Sequence, residues 1–325
     1  MSEVTSWVPG LGHQLWWMGG FVLYKATTED TSGAYALSWV TIMPNMASRP
    51  SLHTKEDQGI YVLDGDLTIT AGNQTVKLGK GCFLNISIGT AWHYNNPTDR
   101  PVTVLFIHAP AGYDQFQFAS GRQISDDSAT LPLTVPADIE KMIELAPQYG
   151  VDLNPPEAEF QRAPKMRHTP AHQGQALSVV GDVYTYKVTG EDTHGSYALF
   201  DFRIPPGGGP PPHVHRRENE GFYVLEGALT FYVPDRRIIV PAGGFVNAPK
   251  NIPHRFANEG KTPVRALCIA APAGIENFFR EIGTPLPDGS APPVPPTAAD
   301  IGKIITAAPK YGIEMLSKED LPPPP

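Results

Sequence analysis

The sequence predicts an all-β protein made of two tandem domains, and three observations support this prediction. The chain of 325 residues repeats itself with a period of about 160 residues. Each repeat contains short runs of β-branched and aromatic residues separated by turn residues. Gly and Pro are abundant, at 31 and 35 residues, without the regular glycine period of collagen. Short strands with frequent turns are typical of β-sandwiches and barrels.

The internal repeat sets the number of domains. Residues 24–37 read YKATTEDTSGAYAL and residues 186–199 read YKVTGEDTHGSYAL, an offset of 162 positions. The motif APAG recurs at the same offset. This period is longer than that of a solenoid repeat, so each copy is predicted to be a domain. A Pro-rich polar segment near 154–165 separates them, which predicts domains over residues 1–155 and 165–325.

Each repeat is expected to begin with strands and to end with a short helix. The strand runs include VTIM, IYVL and TVLFIHA in the first repeat and FYVL, LTFYV and RALCIAA in the second. Near the end of each repeat, ADIEKMIELAPQYG and ADIGKIITAAPKYG place isoleucines at helical spacing. The piece IENFFREIG is a further short amphipathic helix candidate.

Composition narrows the class of protein. The formal net charge of −8 disfavours nucleic-acid or anionic-membrane partners, because both require a basic surface. Cys82 and Cys268 form no disulfide framework, which favours a reducing compartment. Apolar runs stay short of the roughly 18 residues of a membrane span. The first residues, MSEVTSWVPG, lack the pattern of a signal peptide, so we expect a cytoplasmic protein.

Histidines and a glutamate in the second repeat form a candidate metal site. His213 and His215 are two residues apart, which places both rings on one face of a strand. Glu220 and His254 complete a set of three imidazoles and one carboxylate. This mixed donor set suits Fe, Mn, Ni, Co or Cu. We therefore expect one divalent transition metal per chain.

These residues resemble the two motifs of the cupin superfamily. The first motif, G-x5-HxH-x3,4-E-x6-G, is matched by Gly207, His213, His215, Glu220 and Gly227. The second, G-x5-PxG-x2-H-x3-N, is matched by Gly243, Pro249, His254 and Asn258. Asn251 stands where the family usually has glycine, and Asn tolerates left-handed backbone. The resemblance implies a bicupin of two jelly-roll barrels.

The first repeat departs from these motifs. Ser51 stands at the His213 position, His53 at the His215 position and Gln58 at the Glu220 position. A one-residue slip pairs His93 with His254 and puts Pro97 near the Asn258 position. His53 and His93 are therefore predicted to form a vestigial second site. A weak metal site with water in the gaps, an apolar ligand pocket and a dimer-building domain remain alternatives.

Strand alternation predicts the wall of the metal cavity. If Glu220 and His254 point inward, then Phe222, Phe256 and Asn258 point inward as well. An apolar, aromatic wall suits an organic substrate, although the two phenylalanines could equally be barrel core. We expect Phe222, Phe256 and Asn258 to contact substrate.

The resemblance extends to the quercetin 2,3-dioxygenase group of bicupins, and it implies a metal-dependent dioxygenase acting on a flavonol-like or enol/phenol substrate with O2. In that group the glutamate both binds the metal and accepts the substrate proton, a role that falls on Glu220. The rivals are an oxalate-type decarboxylase or oxidase, an isomerase, and a non-catalytic binding protein. A homodimer is compatible with the sequence.

Overall fold

The computed structural model describes residues 3–18, 20–124 and 136–317, which form two compact units. The N-terminal unit is Leu11–Ala171, and the C-terminal unit combines Met1–Gly10 with His172–Pro325. Antiparallel strands dominate both units, and the predicted all-β fold is confirmed.

The described elements follow one another in nearly the same order in both units. The chain opens with β1 (Thr5–Trp7). The N-terminal unit then contains β2 (His13–Trp17), β3 (Gly20–Ala26), β4 (Ala36–Ile42), β5 (Ser51–His53), β6 (Asp57–Asp64), β7 (Leu67–Ala71), β8 (Gln74–Leu78), β9 (Phe83–Ile86), β10 (Ala91–Asn95), β11 (Val102–Ala109), α1 (Tyr113–Ser120), β12 (Arg122–Gln123), α2 (Pro136–Leu145), β13 (Val151–Asp152) and β14 (Met166–Thr169). The C-terminal unit contains β15 (Ala176–Val179), β16 (Asp182–Val188), β17 (Ala198–Ile204), β18 (His213–His215), β19 (Asn219–Glu226), β20 (Ala228–Val233), β21 (Arg236–Pro241), β22 (Phe245–Ala248), β23 (Arg255–Ala257), β24 (Val264–Ala271), α3 (Ile275–Ile282), β25 (Thr284–Leu286), α4 (Ala298–Ala307) and β26 (Ile313–Met315).

The strands of each unit form a large sheet and one or two smaller ones. In the N-terminal unit the orders are β12-β2-β3-β4-β11-β6-β9-β14 and β13-β5-β10-β7-β8. In the C-terminal unit they are β1-β22-β19-β24-β17-β16-β15-β25, β21-β20-β23 and β18-β26. Ile60 and Val62 of the large N-terminal sheet share one buried apolar cluster with Leu67 and Ile69 of the smaller sheet. Apolar residues that alternate along these strands therefore meet in a core shared by the two sheets.

The edge strands make the compact units differ from the predicted boundaries, 1–155 and 165–325. By the 162-residue period, β1 and β14 are equivalent strands. However, β1 pairs with β22 in the C-terminal unit, and β14 pairs with β9 in the N-terminal unit. Each large sheet therefore takes one of its edge strands from the start of the other repeat. Edge pairing is made through main-chain hydrogen bonds, which the local sequence does not specify.

The α-helices come after the last long strand of each repeat, as predicted. α1 and α2 follow β11, and α3 and α4 follow β24. Helix α4 begins with a capping box, in which Thr297 and Asp300 each accept a hydrogen bond from the other's main-chain N–H. Among the residues that the structure describes, no helix has the length and apolar character needed to cross a bilayer.

Candidate metal centre

Three histidines and one glutamate converge in the C-terminal unit. His213 and His215 are the ends of β18, Glu220 lies in β19, and His254 directly precedes β23. Two reciprocal main-chain hydrogen bonds of 3.0 and 2.9 Å join His213 and His254. The four residues are at most 6% exposed, and their ligand atoms all lie within 4.8 Å of one another. The structure thus brings together the four residues that the spacing predicted as ligands.

The orientation of each ring is set by an acceptor at Nδ1. The three contacts are His213 to Pro211 O at 2.8 Å, His254 to Ile252 O at 2.9 Å, and His215 to Glu218 Oε1 at 2.8 Å. Carbonyl and carboxylate oxygens only accept, so each Nδ1 carries the proton. Each Nε2 is then the nitrogen available to a metal. Glu218, 3% exposed, is a supporting residue to which the sequence analysis assigned no role.

The electrostatics of the cluster favour a cation among these atoms. Glu220 Oε2 lies 3.2 Å from Nε2 of both His215 and His254. Burial lowers the pKa of His215, but the nearby carboxylates outweigh it and raise that pKa to about 10. Burial raises the pKa of Glu220, but the two histidines outweigh it and hold that pKa well below its ordinary value. The cluster thus retains one proton beside the carboxylate, and a divalent cation bound to the same atoms would displace it.

A small apolar cavity adjoins the cluster. Its volume is about 60 Å³, and it reaches Glu220, His213 and His215. The rest of its lining is mainly aliphatic and aromatic: Val179, Val180, Tyr184, Pro210, Pro211, Phe256, Ile275, Phe278, Phe279, Ile282, Ile304, Ile313 and Met315. None of the described residues in this lining is a lysine or an arginine. The cavity therefore suits a neutral, apolar molecule better than an anion.

Asp182 is a polar residue of this cavity that the sequence analysis missed. It is 2% exposed, and its Oδ1 has no hydrogen-bond partner within the described structure. Burial raises its pKa to about 8, against a smaller opposing effect of the main-chain N–H of Gly209. Asp182 is therefore largely protonated at neutral pH and can donate a hydrogen bond. It begins β16 among core-forming residues, and no motif singles it out.

Replacing Asp182 with asparagine is expected to change how stability depends on pH. Because its pKa is about 8 when folded and 3.8 ordinarily, the native state keeps a proton that the unfolded state releases. This contribution is complete below about pH 4 and is lost as the pH rises through about 8. The wild-type free energy of unfolding falls across that window. Asp182→Asn removes the slope and stabilises the protein at pH 8 by on the order of a few kcal/mol.

Denaturant unfolding of chelator-treated protein near pH 5 and near pH 8 measures this difference. Asp235→Asn is the control, since Asp235 is exposed. If Asp182→Asn and Asp235→Asn have the same pH dependence, the buried carboxyl of Asp182 is not the source of the slope.

The predicted substrate contacts lie at different depths. Phe256 lines the cavity, whereas Phe222 packs behind it with ring centroids 5.2 Å apart and belongs to the core. Asn258 donates to Ile204 O and Thr262 O, both at 2.9 Å, and does not line the cavity. Its amide organises a turn. Of the three residues, Phe256 is the one placed to contact a ligand of this cavity.

The sequence profile of the cupin domain family matches the chain twice, at residues 38–108 and 200–270. One match lies within each unit, and the second match contains the four candidate metal ligands. The chain contains two cupin domains and is a bicupin in that sense. Asn251 adopts the left-handed conformation, with φ 70°, in place of the usual glycine, as predicted.

Comparison with known proteins relates this bicupin to two groups of enzymes. It is 24% identical over 271 residues to quercetin 2,3-dioxygenase of Bacillus subtilis, covering 78% of each chain. It is 24% identical to quercetin 2,3-dioxygenase of Aspergillus japonicus over 134 residues, covering 39% of this chain and 38% of the relative. The fold is similar to that of Lactobacillus farciminis oxalate decarboxylase in its formate complex, with a TM-score of 0.56 and 16% identity over 84% of this chain and 87% of that one.

The first repeat of the bicupin does not preserve the metal-binding set. Ser51 and His53 lie on β5 and Gln58 on β6, at the positions of the second-repeat candidate ligands His213, His215 and Glu220. His53 Nδ1 contacts Glu56 Oε1 at 2.8 Å, which repeats the contact of His215 with Glu218. Among the described residues, only the second-repeat cluster groups three or more potential ligands.

The predicted equivalence of His93 and His254 is wrong. In the N-terminal unit Tyr94 pairs with Ile69, and in the C-terminal unit Phe256 pairs with Phe231. Each residue of the second pair lies 162 positions after its counterpart in the first pair, so the repeat register does not slip here. Trp92 therefore occupies the position of His254. His93 is one residue further along the strand and points to the opposite face, because side chains alternate. It packs near Phe160, at 5.9 Å between ring centroids, and does not join His53.

The same register corrects the position assigned to Pro97. Asn96 is the counterpart of Asn258, and its amide donates to Ile42 O and Arg100 O as Asn258 does to the equivalent carbonyls. The asparagine turn is thus present in both repeats, whereas tryptophan stands at the position of the candidate ligand His254 in the first.

Proposed function

We propose that this bicupin is a metal-dependent dioxygenase whose C-terminal site acts on a neutral, flavonol-like enol or phenol. The observation that carries the proposal is the apolar cavity bordering the His213, His215, Glu220 and His254 cluster, with no lysine or arginine in its described lining. Besides the metal ion, a small dianion such as oxalate would find no lysine or arginine in this lining, and burying its second charge would be costly. The 24% identity to quercetin 2,3-dioxygenase supports the same choice.

The donor set fits one divalent ion among Fe, Mn, Ni, Co and Cu. His213, His215 and His254 would hold it through Nε2, with Glu220 as the fourth ligand. When bound, the ion supplies Lewis acidity that favours the deprotonated form of a substrate hydroxyl. The Nδ1 contacts described above would keep the three rings in place without rearrangement.

The remaining chemistry falls on two carboxyl groups of opposite protonation. Glu220, a buried carboxylate in the cavity lining, is placed to accept the proton of an enol or phenol whose acidity the bound ion would increase. Asp182, whose pKa is about 8, can donate a hydrogen bond to a neighbouring carbonyl oxygen of the substrate. Phe256 and the isoleucines of the wall exclude water.

Cavity size limits how the substrate binds. A volume of about 60 Å³ accommodates the reacting oxygen and its nearest carbons but not a whole flavonol. A larger ring system requires displacement of the apolar wall, to which α3 contributes Phe278 and Phe279 and α4 contributes Ile304. Small enols and phenols should therefore be tested as substrates beside flavonols.

An oxygen electrode tests the proposal directly. Protein loaded separately with Fe, Mn, Ni, Co or Cu is supplied with flavonols, β-dicarbonyl enols and, as a rival substrate, oxalate. Oxygen consumption with an enol or flavonol is the expected result. Release of CO2 from oxalate would indicate an oxalate-type enzyme, and no turnover with any combination would favour a non-catalytic binding protein.

A further inference from the structure

The N-terminal unit contains a larger cavity than the one at the metal centre. Its volume is about 170 Å³, against about 60 Å³ for the cavity beside the histidine cluster. It occupies the position of the missing metal site, since Ser51, His53, Gln58 and Trp92 all line it. The first repeat therefore has a cavity where the second repeat has its histidine and glutamate cluster.

Three residues that line this cavity carry a buried polar atom without a hydrogen-bond partner in the described structure: Trp92 at Nε1, and the neighbouring pair Gln58 and His108. Gln58 is 1% exposed and its Oε1 has no hydrogen-bond partner in the described structure. His108 is 3% exposed and its Nδ1 has none either. The two residues are directly opposite each other on β6 and β11. Leaving buried polar atoms unpaired is costly, so such positions usually have an unseen partner.

His108 has no counterpart in the metal site of the second repeat. Its equivalent there is Ala270, which lies opposite Glu220 in the same register. The first repeat therefore loses a carboxylate at position 58 and gains an imidazole beside it. Burial, assisted by the neighbouring His53, holds the pKa of His108 well below its ordinary value, so the ring is neutral. The exchange converts a cation-binding arrangement into a pair of neutral hydrogen-bonding groups.

The rest of the cavity is suited to a planar ring. Five aromatic residues line it: Trp17, Trp92, Tyr94, Phe106 and Tyr113. Arg49 is the only lysine, arginine, aspartate or glutamate in the described lining, and it is exposed. An apolar cavity of about 150 Å³ is sufficient to bind benzene. A volume of 170 Å³ therefore accommodates one six-membered ring with small substituents.

We propose that the N-terminal cavity is a metal-free binding site for a neutral monocyclic phenol, with Gln58 Oε1 accepting from one hydroxyl and His108 Nδ1 contacting a second. The site is separate from the proposed oxygenase centre and requires neither its metal nor its activity. A ring with two adjacent hydroxyls satisfies both polar atoms, a ring with one satisfies Gln58, and toluene satisfies neither.

The test uses the full chain with the metal site removed, because a dihydroxybenzene could also bind a metal ion. The His213→Ala/His215→Ala variant is titrated with catechol, phenol and toluene, following tryptophan fluorescence and calorimetry. Trp17 and Trp92 line the cavity and report occupancy. We expect one binding event per chain, with catechol about tenfold or more tighter than toluene.

Two substitutions in this background identify the site. Gln58→Leu and His108→Phe should each weaken catechol binding about tenfold, whereas the control Glu157→Gln, at an exposed residue, should leave it unchanged. Thermal unfolding of each variant shows that the fold is intact. Absence of saturable binding in the metal-site variant, equal affinity for catechol and toluene, or unchanged affinity in folded Gln58→Leu would each overturn the proposal.

Discussion

Replacing His213 or His254 with alanine is expected to abolish metal binding, while replacing His53 leaves it intact. The natively purified protein should contain about one equivalent of a divalent metal, because the second repeat alone assembles a full ligand set among the described residues. Removing one imidazole leaves three donors around a site built for four. His53→Ala changes the counterpart of His215 in the first repeat, where Ser51, Gln58 and Trp92 replace the other three candidate ligands. Elemental analysis of the three purified variants measures the effect.

The supporting carboxylates provide a matched pair for the same experiment. Glu218→Ala removes the acceptor that orients His215, and we expect about a 10- to 100-fold loss of metal affinity. Glu56→Ala removes the equivalent acceptor of His53 and should have no effect on metal affinity. Two equivalents of metal in the wild type, with one lost in His53→Ala or Glu56→Ala, would show that the first repeat binds metal after all.

Glu220→Gln is expected to keep part of the metal and to lose most oxygen consumption. An amide oxygen can remain near the ion, but it does not accept a proton as the buried carboxylate does. Loss of a general base typically lowers the rate by about 10²- to 10⁴-fold. The measurement is oxygen uptake by metal-loaded Glu220→Gln, with metal content determined on the same samples so that the rate is expressed per bound ion.

Glu157→Gln serves as the control for this prediction, since Glu157 is an exposed glutamate of the N-terminal unit. It should match the wild type in both metal content and rate. If the loss of rate in Glu220→Gln is explained entirely by its loss of metal, so that the rate per bound ion equals that of the wild type, Glu220 has no role in proton transfer.

The sequence was sufficient for the repeat, the fold class and the four candidate metal ligands. A long period with matching turns indicates two copies of one domain, because the turns require particular residues at fixed positions. His213, His215, Glu220 and His254 could be predicted because two of them alternate on one strand and all four follow a known spacing. The paired glutamates Glu56 and Glu218 recur at the repeat offset, a signal that could have revealed the supporting role of Glu218.

Other features depend on contacts between distant parts of the chain. A one-residue choice of register decides whether His93 or Trp92 faces the first cavity, and only strand pairing fixes that choice. The unit to which β1 belongs depends on which sheet edge supplies its hydrogen bonds. Asp182 and His108 acquire their properties from burial, because desolvation shifts a pKa and leaves polar atoms without water. Local sequence thus determined which residues could bind a metal, whereas tertiary packing decided which polar groups lie dry inside each cavity.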